Sequence, residues 1–234
     1  MSAPCVLVLA GLDPSGGAGL LADAEAVRAS GATPLCVATA LTVQTRRAAR
    51  RYQAVDADLI ADSVRALLEE EDVRAIKIGM VGNLANARAI RALLPAGIPL
   101  IVDPVLASSS GAPLFEGPPR SLLELAAGGI LTPNIPEAEA LLGGPADVAK
   151  LLRQGLAAVL LKGGHLPGTP EDVLATKDGI EIFSAPRIAA TGRGTGCRLA
   201  SAIASGLALG LPLREAVLTA RVLVRAHLQS HLSV

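Results

Sequence analysis

The sequence predicts a doubly wound α/β fold: a mainly parallel sheet with helices on both faces. Three observations predict it. Short apolar runs recur along the chain, longer Ala- and Leu-rich stretches separate most of them, and polar or glycine-rich segments follow directly on the runs. The first two features are those of buried parallel strands joined by crossover helices, and the third falls where open parallel sheets bind ligands, beyond the carboxyl ends of the strands. A single domain over residues 1–234 is expected, because a chain of this length can bury a sizeable core and no repeat, low-complexity tract or linker divides it.

Strands are read at Val6–Ala10, Leu35–Leu41, Ala75–Gly79, Leu100–Val102, Ile130–Thr132 and Ala157–Lys162. Each is apolar throughout, as burial on both faces requires. Crossover helices are expected between them, among them Asp58–Glu70, Leu84–Leu94 and Asp147–Gln154. Asp172–Ala175 and Glu181–Ser184 flank the turn signal Asp178-Gly179 and predict a hairpin at the sheet edge. Two further helices, Thr195–Leu209 and Leu213–Leu228, close the chain.

Composition narrows the function. Hydrophobic residues make up 51% and charged residues 18%, which excludes a disordered chain. The 21 Lys and Arg balance the 21 Asp and Glu, so no net field would hold the protein on nucleic acid or an anionic membrane. Aromatic residues are limited to Tyr52, Phe115 and Phe183, too few to stack bases. The expected partner is a small molecule. Val6–Ala10 is too short for a membrane span, no basic segment precedes it, and Cys5, Cys36 and Cys197 form no paired motif. A reducing, cytoplasmic setting fits. The Ala/Leu-rich composition and a mean hydropathy of +0.49 are compatible with the buried interface of a homodimer.

Four segments carry candidate chemistry. Gly194-Thr195-Gly196-Cys197 opens an apolar helix, where free backbone N–H groups make an anion hole. In the first turn of that helix, between Arg193 and Arg198, Cys197 is expected to favour its thiolate and to act as a base. Gly11–Gly19 follows the first strand; it matches neither G-x-G-x-x-G nor a P-loop, but its glycines, with Asp13 and Ser15, allow backbone to approach a small ligand closely. Asp103 ends one strand, and Asn134 and Glu137 follow the next, an oxygen-rich set suited to Mg²⁺ shared with phosphate. Lys162, ahead of Gly163-Gly164, is placed to neutralise nucleotide phosphate. Each segment also has an ordinary structural explanation, as a tight turn, a helix start or a solvated strand end.

Taken in order, Ala10-Gly-Leu-Asp-Pro-Ser-Gly-Gly-Ala-Gly19 with Asp23, Ala40-Leu-Thr-Val-Gln44, Lys77-Ile-Gly-Met80, Val102-Asp-Pro-Val105, Thr132-Pro-Asn-Ile-Pro-Glu137, Leu161-Lys-Gly-Gly-His165 and Gly194-Thr-Gly-Cys197 resemble the hydroxymethylpyrimidine/phosphomethylpyrimidine kinases of thiamin biosynthesis, members of the ribokinase-like superfamily. The resemblance runs through almost the whole chain. It implies a ribokinase-like sheet with a small β flap, and transfer of the ATP γ-phosphoryl group, with Mg²⁺, to 4-amino-5-hydroxymethyl-2-methylpyrimidine and then to its monophosphate. By the same resemblance Gln44 would bond the pyrimidine edge, with Gly11, Asp13, Asp23, Met80 and Val105 also on the substrate side. Asn134, Lys162, Gly164 and Thr191 would serve the nucleotide, Asp103 and Glu137 the metal, and Gly194, Thr195, Gly196 and Cys197 the transfer itself.

The chain departs from the pattern in three places. Gln44-Thr45-Arg46 stands where relatives commonly carry Gln-Asn-Thr, Arg193 and Arg198 replace a His and a Thr, and Ser108–Ala112 lacks an acidic residue. Arg46, Arg47, Arg50 and Arg51 cluster on the expected flap, where with Arg193 they would bind the phosphate of a phosphomethyl substrate. Pyridoxal or pyridoxine kinase is the competing reading within the fold, and a non-catalytic binding protein the competing reading outside enzymes.

Overall fold

Burial of the apolar runs organises the whole molecule. The structure, a computed structural model, describes residues 3–164, 169–189 and 192–230. The chain runs β1 (Cys5–Leu12), α1 (Gly19–Ala29), β2 (Thr33–Gln44), β3 (Ala49–Ala54), α2 (Ala57–Glu70), β4 (Val73–Ile78), β5 (Gly82–Asn83), α3 (Leu84–Leu93) and β6 (Leu100–Val102). It continues through β7 (Phe115–Glu116), α4 (Ser121–Leu125), β8 (Ile130–Leu131), α5 (Ile135–Leu142), α6 (Val148–Leu152) and β9 (Ala158–Leu161). It ends with β10 (Glu171–Thr176), β11 (Gly179–Ser184), α7 (Thr195–Ala208) and α8 (Leu213–Ser230).

Nine strands form one sheet in the order β11-β10-β9-β8-β6-β4-β1-β2-β3. The six from β9 to β2 are parallel, while β3 at one edge and β10 and β11 at the other run antiparallel. Alternation along β1 explains why its run is continuously apolar. Leu7 and Leu9 enter one core with Ile60 and Val64 of α2 and Ile90 of α3, whereas Val6, Val8 and Ala10 enter the other with Val27 of α1, Ile203 of α7 and Val217 of α8. Each of these Val, Leu and Ile side chains removed from water contributes about 1.5–3 kcal/mol. The mainly parallel sheet, the helices on both faces and the edge hairpin expected from the sequence are all present.

Two boundaries differ from the sequence reading for physical reasons. β2 extends past Leu41 to Gln44 because Thr42–Gln44 pair with β3 alone, so this stretch is a two-stranded flap in which Val43 stays exposed, as does Leu41 at its base. α6 is shorter than Asp147–Gln154 because the Asp147 carboxylate leaves the helix to cap it, accepting the Lys150 N–H at 2.9 Å. Among the described residues no helix is long and apolar enough to cross a membrane.

Candidate active site

Strand order sets the order of the chemistry. From β9 to β2 the residues beyond the strand ends are Lys162, then Asn134 and Glu137, then Asp103 and Val105, then Met80, then Asp13, with Gly11 near the end of β1 and Gln44 at the end of β2 themselves part of their strands. With the start of α7 they line one cleft of about 990 Å³. Asp103 stands near the middle, with the nucleotide candidates on one side and the ring-binding candidates on the other.

The first side is charged. Lys162 Nζ donates to Asp103 Oδ1 at 2.6 Å and lies 4.0 Å from Glu137 Oε2, while Thr132 Oγ1 lies 3.4 Å from the same Asp103 oxygen. Against the burial that opposes its charge, these two carboxylates hold the Lys162 ammonium above its ordinary pKa. Burial, reinforced by the Asp103 charge and opposed by Lys162, raises the Glu137 carboxyl to about 7. Asn134 and Glu137 also form a capping box: Asn134 Oδ1 accepts from the Glu137 N–H and Glu137 Oε2 from the Asn134 N–H, both at 2.8 Å. The Asn-x-x-Glu spacing therefore builds the start of α5 as well as facing the cleft. Gly164 lines this side, where its carbonyl accepts from Arg187.

At the centre, Gly194 takes φ +67 and caps α7. A side chain there would strike the Gly17 carbonyl, since a Cβ would lie 2.4 Å from its oxygen. Gly196 brings the helix start close to the charged pair: a Cβ on it would lie 3.0 Å from Lys162 Nζ and 3.7 Å from Asp103 Oδ2. The anion hole expected from the sequence thus faces the ammonium and carboxylates expected to serve a nucleotide.

Cys197 lines the same cleft but corrects one expectation. Burial raises its thiol to about 11, with the Asp23 and Asp103 charges adding to the effect and Lys77 and the Gly19 N–H opposing it. Neither neighbouring arginine supports a thiolate. Arg198 turns away to Glu25 at 2.6 Å, and Arg193 donates to the Thr45 carbonyl and approaches Asp13. Asp23 is a second correction: it does not line the cleft. Fully buried, it accepts from Lys77 Nζ at 2.7 Å and Ser201 Oγ at 2.8 Å. Thr191 lies outside the described residues.

On the other side, Gly11 packs under Met80, whose sulfur would be 2.6 Å from a Cβ at that position, so backbone and thioether together form a flat apolar floor. Met80 packs with Ala40, Leu114 and Val105. Gln44 Nε2 donates to Asp13 at 3.1 Å. Arg46, Arg47, Arg50 and Arg51 do not line the cleft; of the basic residues proposed for the flap, only Arg193 does.

The sequence reading missed part of the wall. Asp172 of β10 pairs with Arg221 of α8, which also lies 5.8 Å over the Phe183 ring, and Arg225 donates to the Pro186 carbonyl. These side chains sit in a hairpin and an Ala/Leu-rich helix without a motif, and only the packing of α8 against the sheet edge brings them to the cleft. Lys77 also lines it, and the only signal for it was its place in the Lys77–Met80 run.

Comparison with known proteins agrees with this arrangement. The chain is 34% identical to the hydroxymethylpyrimidine/phosphomethylpyrimidine kinase of Aquifex aeolicus, over 92% of this chain and 90% of that protein. It is 35% identical, over 86% of its length, to the thiamine biosynthesis multifunctional protein ThiED of Corynebacterium efficiens, of which it spans 29%. The solved phosphomethylpyrimidine kinase of Clostridium difficile superposes with a TM-score of 0.80 at 33% identity, covering 96% of this chain and 99% of that one, and so shares the ribokinase-like fold. The family model described as phosphomethylpyrimidine kinase matches residues 13–234, and the chain belongs to that family of phosphotransferases.

Proposed function

We propose that the chain transfers the γ-phosphoryl group of ATP to the hydroxymethyl oxygen of 4-amino-5-hydroxymethyl-2-methylpyrimidine, and then to the phosphate of the product, in the synthesis or salvage of thiamin. One observation carries this reading: the start of α7 meets the Lys162–Asp103 pair midway along a cleft that holds a Lys–carboxylate cluster on one side and a Gly11–Met80 floor edged by Gln44 on the other. Phosphoryl transfer asks for that division of labour, because it needs alignment and neutralised charge more than covalent help.

In this reading Gly11, Asp13, Gln44, Met80 and Val105 hold the ring, and Asn134, Lys162, Gly164 and Thr191 hold the nucleotide. The N–H groups of Gly194, Thr195 and Gly196 receive the transferring phosphoryl group. The thiolate form of Cys197, which the Lys77 ammonium favours, takes the hydroxyl proton and becomes the neutral thiol as the oxygen–phosphorus bond forms and the bond from the γ-phosphorus to ADP breaks. Asp103 and Glu137 suit Mg²⁺, since the ion is usually held by one or two carboxylates and completed by phosphate oxygens and water. When bound, it would neutralise phosphate charge. The described residues offer no cluster of three or more His, Cys, Asp or Glu for a metal, which fits a site that nucleotide completes. The same reading takes the chain as one catalytic domain of a cytoplasmic homodimer, with Leu41 and Val43 of the flap available for subunit contact.

ADP formation from Mg-ATP, with the alcohol, its monophosphate or pyridoxal as acceptor, tests the proposal. Turnover of either pyrimidine, reduced at least about 100-fold in Cys197→Ala, is expected. Turnover of pyridoxal alone would move the assignment to a pyridoxal kinase, and binding without turnover would make the chain a non-catalytic binding protein.

A further inference from the structure

Asp13 begins the turn after β1 and is almost completely buried, 3% exposed. Both of its oxygens are engaged. Oδ1 accepts from the Ser15 N–H at 2.9 Å and from Ser15 Oγ at 2.7 Å; Oδ2 accepts from Gln44 Nε2 at 3.1 Å, with Arg193 Nη2 3.7 Å away. A carboxylate can only accept, so the nitrogen end of the Gln44 amide must face it. The reversed amide would press Oε1 against Oδ2 with no proton between them. Among the described residues no donor reaches Gln44 Oε1, and Gln44 lines the cleft. Its edge therefore offers an acceptor, Oε1, beside the one remaining N–H, in a fixed order.

We propose that Asp13 is a positioning residue that locks this order, so that the cleft selects a ring carrying an exocyclic amine beside an unprotonated ring nitrogen over the corresponding oxo ring. The inference rests on the pyrimidine reading and deepens it. A 4-aminopyrimidine presents a donor and then an acceptor along this edge, which complements Oε1 and the free N–H. The 4-oxo ring carries its proton on the ring nitrogen and presents the reverse, leaving oxygen opposite oxygen and N–H opposite N–H. Asp13→Asn should release the lock in a defined way. The Ser15 N–H retains the Asn oxygen, so the Asn nitrogen is turned toward Gln44, and the Gln44 amide must flip to accept from it.

Calorimetric titration with 4-amino-5-hydroxymethyl-2-methylpyrimidine and with 5-hydroxymethyl-2-methylpyrimidin-4-one tests this. The wild-type protein is expected to bind the amino ring at least about tenfold more tightly. Asp13→Asn should narrow or invert that ratio, and Gln44→Leu should bring it near one. Equal binding of the two rings by the wild-type protein overturns the proposal while leaving the kinase reading in place. So does an unchanged ratio in Asp13→Asn, or a preference that survives in Gln44→Leu. If Asp13→Asn does not fold, Asp13→Ala, which removes the acceptor from Gln44 Nε2 and frees the amide to turn, should narrow the ratio, and an unchanged ratio there overturns the proposal. Binding of neither ring by the wild-type protein overturns the pyrimidine reading itself.

Discussion

Cys197 illustrates how burial can override a local signal. The start of α7 and two adjacent arginines point to a thiolate, yet the surrounding protein raises the thiol to about 11 because charge on sulfur is costly once water is removed. Lys77, fully buried below it and paired to Asp23, is the counterweight. A buried ammonium is expensive to keep where apolar side chains would pack as well, which fits a cation retained for its charge. Far below its pKa the thiolate fraction grows tenfold with each pH unit. In a Cys5→Ser, Cys36→Ser background, which leaves Cys197 as the single thiol, alkylation by iodoacetamide should therefore accelerate about tenfold per unit from pH 7 to 9 without levelling off. A plateau below pH 8 would mean that Lys77 and the helix start outweigh burial after all. The sequence did reveal which residue reaches the cleft. It could not reveal the protonation state, which depends on Asp23, Asp103 and Lys77 arriving from three other elements.

Among the elements, α7 matters most because its position places both the proposed anion hole and Cys197. Its far half is fixed by contact with α8, and that contact is close: a Cβ on Gly206 would lie 2.8 Å from the Ala216 Cβ and 3.1 Å from its Cα. Gly206→Ala should force the two helices apart and destabilise the protein by about 1–3 kcal/mol, measured as a lower urea midpoint with an unchanged slope. Unaltered stability would show that α8 can shift freely. Which stretches form helices was legible from Ala/Leu-rich runs, but their caps were not: the sequence reading includes Asp147 in the helix it caps, and assigns Asn134 and Glu137 to nucleotide and metal rather than to a capping box. The flap was harder to see. β3 carries Arg50 and Arg51 with exposed faces, so it lacks the apolar run that marked the central strands, and only pairing with β2 makes it a strand. For the same reason the arginine cluster could not be assigned to a side of the flap, and it falls outside the cleft.

For the whole molecule, the parallel sheet is what made so much of the site readable. Strands buried on both faces are apolar throughout, so their ends could be located in the sequence, and all of those ends point to one side of the sheet. Residues as distant in sequence as Gly11 and Lys162 could thus be assigned to one cleft. Asp172, Arg221 and Arg225 could not, because they come from an antiparallel hairpin and a terminal helix whose docking no such rule fixes. Bound in the proposed site, a nucleotide is a clamp across β6, β8, β9 and the start of α7. A ligand that binds only the folded state at 100 times its Kd adds about 2.7 kcal/mol. In a protein of this size that raises the unfolding temperature by about 5–10 °C. Mg-ADP should produce such a rise in a thermal melt. Because Asp103 and Glu137 are proposed to meet phosphate through the ion, chelation with EDTA should remove most of the gain. The direct Lys162 contact to phosphate should preserve the remainder. A gain equally large with and without chelator would take the metal away from Asp103 and Glu137 and leave Lys162 and the helix start as the whole of the phosphate site.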